Sequence, residues 1–133
     1  MLKKKTRKPS RSKTIEPRFT FENGVVVCML PLRVWSAANL REHPMTRARR
    51  VKKQREAAIA VRVIVPLPVV VRLTRIAPRA LDGDNLQYAF KALRDGIADR
   101  YGVKDNDPRI RFEYDQRTDR PIYYGVEVTI RRQ

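Results

Sequence analysis

Asp82 and Asp84 stand two residues apart in Leu81-Asp-Gly-Asp-Asn-Leu86, and Asp105 and Asp107 stand two apart in Gly102-Val-Lys-Asp-Asn-Asp107, with Lys91 between the pairs. Carboxylates brought together repel one another, and oxygen ligation of a hard divalent cation is the usual compensation. The chain around them is strongly basic, with 30 Lys/Arg against 14 Asp/Glu and a formal net charge of +16 at pH 7. A basic chain that gathers carboxylates for such a cation has the make-up of a nuclease: cations for the phosphate backbone, a metal for the phosphodiester.

The charge is unevenly placed. Residues 1–81 hold 20 Lys/Arg and 4 Asp/Glu, whereas residues 82–133 hold 10 of each. Six of the 14 acids fall between Asp82 and Asp107, so a cationic platform precedes an anionic pocket. Such a platform attracts phosphate backbones through counterion release, without regard to base sequence. Charge alone is equally compatible with a basic binding protein that has no catalytic role, such as a ribosome-associated one.

At 133 residues with 42% hydrophobic content, the chain suits one domain with one core and leaves no room for a second catalytic domain. The single cysteine, Cys28, sits in the apolar run Val25-Val-Val-Cys-Met-Leu30 and reads as a small buried hydrophobe that has no partner for an intramolecular disulfide. With His43 the single histidine, a zinc site of Cys and His ligands is excluded, and any Ser-His or Cys-His couple would depend on His43. The basic opening is followed by Thr14-Ile-Glu-Pro-Arg18 rather than an apolar stretch, so it is not a signal peptide. The longest uncharged apolar run, Val63 to Val71, contains two prolines and falls far short of the roughly 20 residues that span a bilayer. The expectation is an intracellular, cytoplasmic protein without a membrane partner. Residues 1–18 read as an unstructured basic tail, either a DNA-contacting arm or a solubilising one, and residues 19–133 as the folded domain.

The elements that must position these groups follow from periodicity. Val25 to Leu30, bounded by Asn23-Gly24 and Pro31, predicts a first strand. From about Pro44 to Ile64 no proline or glycine intervenes, and Ala48, Val51, Ala58 and Val61 or Ile64 recur at helical intervals, which predicts one amphipathic helix. Its other faces carry Arg47, Arg49, Arg50, Lys52 and Lys53. From Arg47 to Arg62 seven basic residues face one acid, Glu56, which favours phosphate contact over a merely solvated face. Arg79, beside the acidic motif, is a further candidate for DNA contact. Leu67 to Ile76 predicts a strand that delivers Asp82 and Asp84 just beyond its end. Leu86, Ala89, Phe90, Leu93 and Ile97 follow a helical pattern, with Asp84, Tyr88, Lys91 and Asp95 in a stripe on the opposite side. Asp84 or Asn85 would serve as its N-cap, and a Lys91 to Asp95 pair on a solvated face is the plainer reading of that stripe. Alternation around Ile110 to Tyr114 and Tyr124 to Ile130 predicts two half-buried strands joined by a turn from Gln116 to Pro121.

Two other uses of the acids fail. Counting an EF-hand loop from Asp82 places Gln87 where glycine is required and Leu93 where glutamate is required. A glycosidase dyad would need a sugar groove, for which an aromatic content of 8% and a cationic platform give little support.

Asp82-Gly-Asp84-Asn85-Leu86, a following helix with Lys91 and Ala-Leu-Arg-Asp95, and Gly102-Val-Lys-Asp-Asn-Asp107 together resemble the RusA-type Holliday junction resolvases. The pattern of that family is Asp-x-Asp-Asn-Leu, a lysine on the next helix, and an Asp-Asp pair after a glycine-containing turn. Leu30-Pro-Leu-Arg-Val-Trp-Ser-Ala-Ala-Asn39 also looks like the family's Pro-rich segment after the first strand, and the resemblance spans about Val25 to Ile130. Three departures are visible. The family's lysine position is occupied by Tyr88, with Lys91 almost one turn further on; the Asp-Asp pair reads Asn106-Asp107 after Asp105; and the asparagine-rich loop is reduced to Asn39 near Trp35.

The resemblance implies an α/β (α+β) fold, with a small mixed sheet of about four strands, two principal helices and a terminal hairpin. It implies a homodimer acting on branched DNA, above all four-way junctions, and a nucleoid-associated role in recombination, repair or prophage DNA processing. By the same resemblance Asp82, Asp84 and Asp107, with Asp105 as substitute, would ligate Mg²⁺ or Mn²⁺, and Lys91 would stabilise charge on the phosphate.

Overall fold

Asn23 and Gly24, at φ of 52° and 75°, turn the chain tightly between two antiparallel strands. Positive φ at both central residues is what an Asn-Gly hairpin supplies. The computed structural model describes residues 13–35 and 43–133. Within them the chain runs β1 (Lys13–Thr14), β2 (Arg18–Glu22), β3 (Val25–Leu30), α1 (Pro44–Ala60), β4 (Val69–Ile76), α2 (Gly83–Ala89), α3 (Lys91–Arg100), β5 (Ile110–Arg117) and β6 (Tyr123–Arg132).

The fold is α+β, with a mixed sheet in the order β2-β3-β6-β4-β5 and β1 pairing in parallel with the start of β6. The sheet has six strands and the described chain three helices, more than the four and two expected. Residues 13–18 are built onto the sheet rather than forming a tail: Lys13 and Thr14 pair with Tyr123 and Tyr124, Ile15 is buried, and Arg18 opens β2. Ile15 lies so close to Gly125 that a side chain there would displace it. The rest of the tail expected over residues 1–18, residues 1–12, lies outside the described residues.

The expected hairpin of the last two strands is not formed. β4 lies between them, parallel to β5 (Val69↔Ile110) and antiparallel to β6 (Val71↔Ile130). β4 is accordingly buried along its whole length except at Arg72, as a strand with a neighbour on both edges and helices over one face should largely be. The helices cover one face. Val26, Cys28, Val69, Val71, Leu73, Val128 and Ile130 from the sheet join Ala58, Leu86, Phe90, Leu93 and Ile97 from the helices in one core. A side chain of Leu or Phe size buried there contributes about 1.5–3 kcal/mol. On the other face Glu113 is ringed by Arg72, Arg111 and Arg131 at 3.2–3.4 Å.

α1 begins with Pro44 after His43, whose Nδ1 accepts a hydrogen bond from the Met45 N–H at 3.1 Å. The single histidine is therefore spent as a helix cap. α1 ends at Ala60, earlier than the expected Ile64, because Val61 is extended and Arg100 donates to the carbonyls of Ala58, Ile59 and Val61. A guanidinium at a helix C-terminus satisfies orphan carbonyls and complements the dipole. Ala48 and Ile64, expected on the apolar side, are exposed, and Ala58 and Val61 are buried. α1 meets α3 at Ala58 and Gly96, where a Cβ on Gly96 would come within 2.7 Å of that of Ala58.

The helix expected through Leu86 to Ile97 is broken at Phe90 into α2 and α3. Gln54, buried in α1, fills the break: its Nε2 donates to the Ala89 carbonyl and its Oε1 accepts from the Leu93 N–H, both at 3.1 Å. α3 closes on Gly102 at φ 71°, with the Gly102 and Val103 N–H groups bonded to the carbonyls of Asp99 and Ala98, a Schellman arrangement.

Candidate active site

β4 hands the chain to the acidic turn, and two polar side chains, buried Arg75 and half-buried Gln116, hold that turn in place. Arg75 donates through Nε to the Val34 carbonyl at 2.8 Å and through Nη1 to the Arg79 carbonyl at 2.6 Å. Gln116 on β5 takes both backbone groups of Leu81, at 2.7 and 2.8 Å. Asp82 follows as the N-cap residue of α2, with its carbonyl accepting from the Leu86 N–H and its side chain making no cap bond. The N-cap is thus Asp82 and not Asp84 or Asn85. Asp84 lies in the first helical turn, where the helix dipole favours a negative charge. Both side chains are exposed, and among the described residues neither makes an ion pair or hydrogen bond.

The other acids are committed. Lys91, the first residue of α3, pairs with Asp95 at 3.5 Å. Arg94 reaches Asp105 at 3.0 Å and donates to the Tyr114 hydroxyl at 2.9 Å. Lys91, Asp95, Asp99 and Asp105 line one cleft of about 330 Å³, so the structure brings Lys91 and Asp105 to a common place. Asp107 is engaged by Arg109 through its side chain, at 2.9 and 3.1 Å, and through its backbone N–H at 2.9 Å. Hydrogen bonds from the Arg109 side chain and backbone lower the Asp107 carboxyl to a pKa of about 2.

Asp107 is not brought to Asp82 and Asp84 within one chain. Asp82 follows Leu81, which is fixed to Gln116, while Asp107 precedes Ile110 at the other end of β5. Six residues of strand at about 3.3 Å each separate those ends by about 20 Å. Among the described residues no group of three or more acidic, histidine or cysteine side chains is placed to hold a metal ion. The four-acid pocket expected from the sequence is therefore divided into an unpaired couple, Asp82 and Asp84, and two acids already neutralised by arginine.

The basic helix is oriented toward the unpaired couple. Gln54 is level with Ala89 and Leu93, and Ala58 with Gly96, so α1 runs in the same direction as α2 and α3. Its N-terminal half, with Arg47, Arg49, Arg50, Lys52 and Lys53, hence lies at the end of the molecule where Asp84 begins α2. Arg47, Arg49, Lys52 and Lys53 are exposed, as is Arg79 before the turn, and Lys52 lies 4.0 Å from Glu56. Tyr88, 45% exposed, stands one turn along α2 from Asp84.

Sequence reasoning missed Arg75, Gln116, Gln54 and Arg94. Gln54 carried a usable signal, since it falls three residues after Val51 and four before Ala58 on the stripe expected to be apolar. Cys28 is buried as expected, and burial raises the pKa of its thiol. Asn39 lies outside the described residues. No helix among the described residues is long and apolar enough to cross a membrane.

No family model and no curated protein matches the chain. Among solved structures it is similar to the OmpA-like domain of FopA1 from Francisella tularensis subsp. tularensis SCHU S4, at 12% identity and a TM-score of 0.36 over 90% of this chain and 82% of that one. That likeness is too weak to bear on function.

Proposed function

We propose that this chain is a divalent-metal-dependent endonuclease of the RusA type that nicks branched DNA, with four-way junctions as its substrate class. The observation that carries the reading is the unpaired state of Asp82 and Asp84 in a chain of net charge +16. Of the six acids from Asp82 to Asp107, Asp95, Asp99, Asp105 and Asp107 each lie within 3.7 Å of a basic side chain, whereas Asp82 and Asp84 have no such partner among the described residues. Two exposed carboxylates on a rigid turn suit Mg²⁺, which is commonly held by one or two carboxylates with water and phosphate oxygens completing the shell. When bound there, the metal would polarise the phosphodiester and supply an activated water.

The residues of the chain do the rest. Arg75 and Gln116 hold the turn, the cations of α1 and Arg79 engage backbone phosphates, and Lys91, seven residues beyond Asp84 and paired with Asp95, supplies a further positive charge to the bound strand. Two symmetric nicks need two such sites, which a homodimer with twofold symmetry provides.

Asp84→Asn removes a ligand and a negative charge near the phosphates. It should lower Mg²⁺-dependent nicking of a labelled four-way junction by at least about a hundredfold, since even changes to residues that only orient a metal's ligands cost about 10- to 100-fold, while junction binding in EDTA is retained or tightened. Intact cleavage, or loss of junction binding in EDTA, would reverse the assignment. A second reading, a basic DNA-binding protein without catalysis, is favoured by the pairing of Asp105 and Asp107 with arginines. It requires binding indifferent to Mg²⁺ and no cleavage of any branched substrate.

A further inference from the structure

Trp35 is the single tryptophan of the chain, and it is 40% exposed beside the most basic element. Burial of an indole in the core would contribute more to stability than this placement does. Its ring is nevertheless held in a defined position. The Arg33 guanidinium lies 4.4 Å from the Trp35 ring centroid and 4.0 Å from that of Tyr124, and it donates to the Tyr124 hydroxyl at 3.3 Å. Val34, between them, is buried, and its carbonyl is fixed by Arg75. The result is a layered stack of Tyr124, Arg33 and Trp35, anchored through Arg75 to the same turn that carries Asp82.

Arg33 and Trp35 of the stack form one wall of a cleft of about 320 Å³, closed by Pro31 and by Thr46, Arg49 and Lys53 of α1. Ligand clefts begin at about 300 Å³, so it is sized for a small planar group. Its chemistry is a π-face beside cations, which rejects a cationic ligand and suits a flat aromatic ring that carries a phosphate. Base stacking on an aromatic side chain tolerates any base, because every base has a π-face.

We propose that this cleft binds one unstacked nucleobase of a DNA strand, with Trp35 stacking on the base and Arg49 and Lys53 contacting its phosphate. The inference rests on the reading of this end of the molecule as a branched-DNA site and says which feature of a branch it recognises. In continuous duplex each base is stacked on both sides and unavailable, whereas a branch point can release one. Arg75 then sets the distance from the captured base to Asp82, so that the strand is cut at a fixed offset from the branch.

Because Trp35 is the sole tryptophan, the indole fluorescence of the full chain reports on it alone. The protein should be titrated in EDTA with an eight-residue single-stranded oligothymidylate, with thymidine monophosphate and with a matched duplex. The single strand should quench the emission saturably. Trp35→Ala should weaken single-strand affinity about tenfold, as expected for loss of one base stack, Trp35→Phe should restore most of it, and both should leave duplex affinity within about twofold. Unquenched emission, equal losses for strand and duplex, or tighter binding of the mononucleotide than of the strand would each overturn the proposal. Quenching without any Mg²⁺-dependent nicking would sink the nuclease reading and leave the base subsite standing. Nicking with unquenched Trp35 would do the reverse.

Discussion

Carboxylates two residues apart in sequence meet different fates here. Gly83 between Asp82 and Asp84 opens a helix, which sends both side chains to solvent at its N-terminus. Pro108 after Asp107 belongs instead to a turn in which the Asp107 carboxylate receives both the backbone N–H and the guanidinium of Arg109. The types and spacing of these residues were legible in the sequence; their partners were not, because an i, i+2 ion pair exists only in a particular turn geometry and Arg94 reaches Asp105 only once α3 has folded back. The Arg109 pair has a measurable consequence. With a folded pKa of about 2 against about 3.9 in the unfolded chain, any contribution of Asp107 to stability is complete above the unfolded value and disappears as pH falls through 2. Asp107 is thus ionised throughout the neutral range and gives no pH dependence to activity there. Carbon-detected NMR titration should place Asp107 near 2 in the native chain and return it toward the ordinary carboxylate range in Arg109→Ala. A native midpoint near 4 would remove the pair from solution.

Element by element, β3 after the Asn23-Gly24 signal was readable, and so was the delivery of Asp82 by the end of β4, whereas β1 and β2, which precede the strand expected to be first, were not. The break between α2 and α3 was not, since the apolar pattern from Leu86 to Ile97 passes through Phe90 without interruption and no glycine or proline marks it. What permits the break is a side chain 36 residues away in sequence, Gln54, which bonds the two backbone groups that an unbroken helix would have satisfied differently. Gln54→Leu keeps volume and helix propensity but leaves the Ala89 carbonyl and the Leu93 N–H buried without that partner. At about 1–3 kcal/mol for each of the two unsatisfied buried groups, the loss should be about 2–6 kcal/mol, read as a lower urea midpoint at unchanged slope. Because Asp84 and Lys91 sit on opposite sides of this break, the variant should also impair junction cleavage more than junction binding. A stability loss under about 0.5 kcal/mol would mean that Phe90 alone determines the break.

For the molecule as a whole, the asymmetry of charge along the chain becomes an asymmetry of ends. Periodicity identified β4, β5 and β6 as strands but could not order them, because the two-residue alternation of β5 and β6 is the same whether they pair with each other or with β4 between them. Insertion of β4 at the centre is what places the Asp82 turn at one end of the sheet and Asp107 at the other, about 20 Å away. The parallel course of α1 with α2 and α3 then brings the cations of α1 to the Asp82 end, beside Trp35. That end should account for the salt dependence of binding. Each phosphate neutralised by a cation contributes about −0.9 to the slope of log K against log salt concentration on duplex DNA. Arg47→Ala combined with Lys53→Ala should therefore flatten the slope by about 1.8 and weaken binding to every duplex alike, whatever its sequence. Neutralising Arg111 and Arg131, which surround Glu113 on the opposite face of the sheet, should leave the slope unchanged. If that second pair flattened it instead, the open face of the sheet would be the DNA-binding surface, and Asp82 and Asp84 would be too far from the strand to cut it.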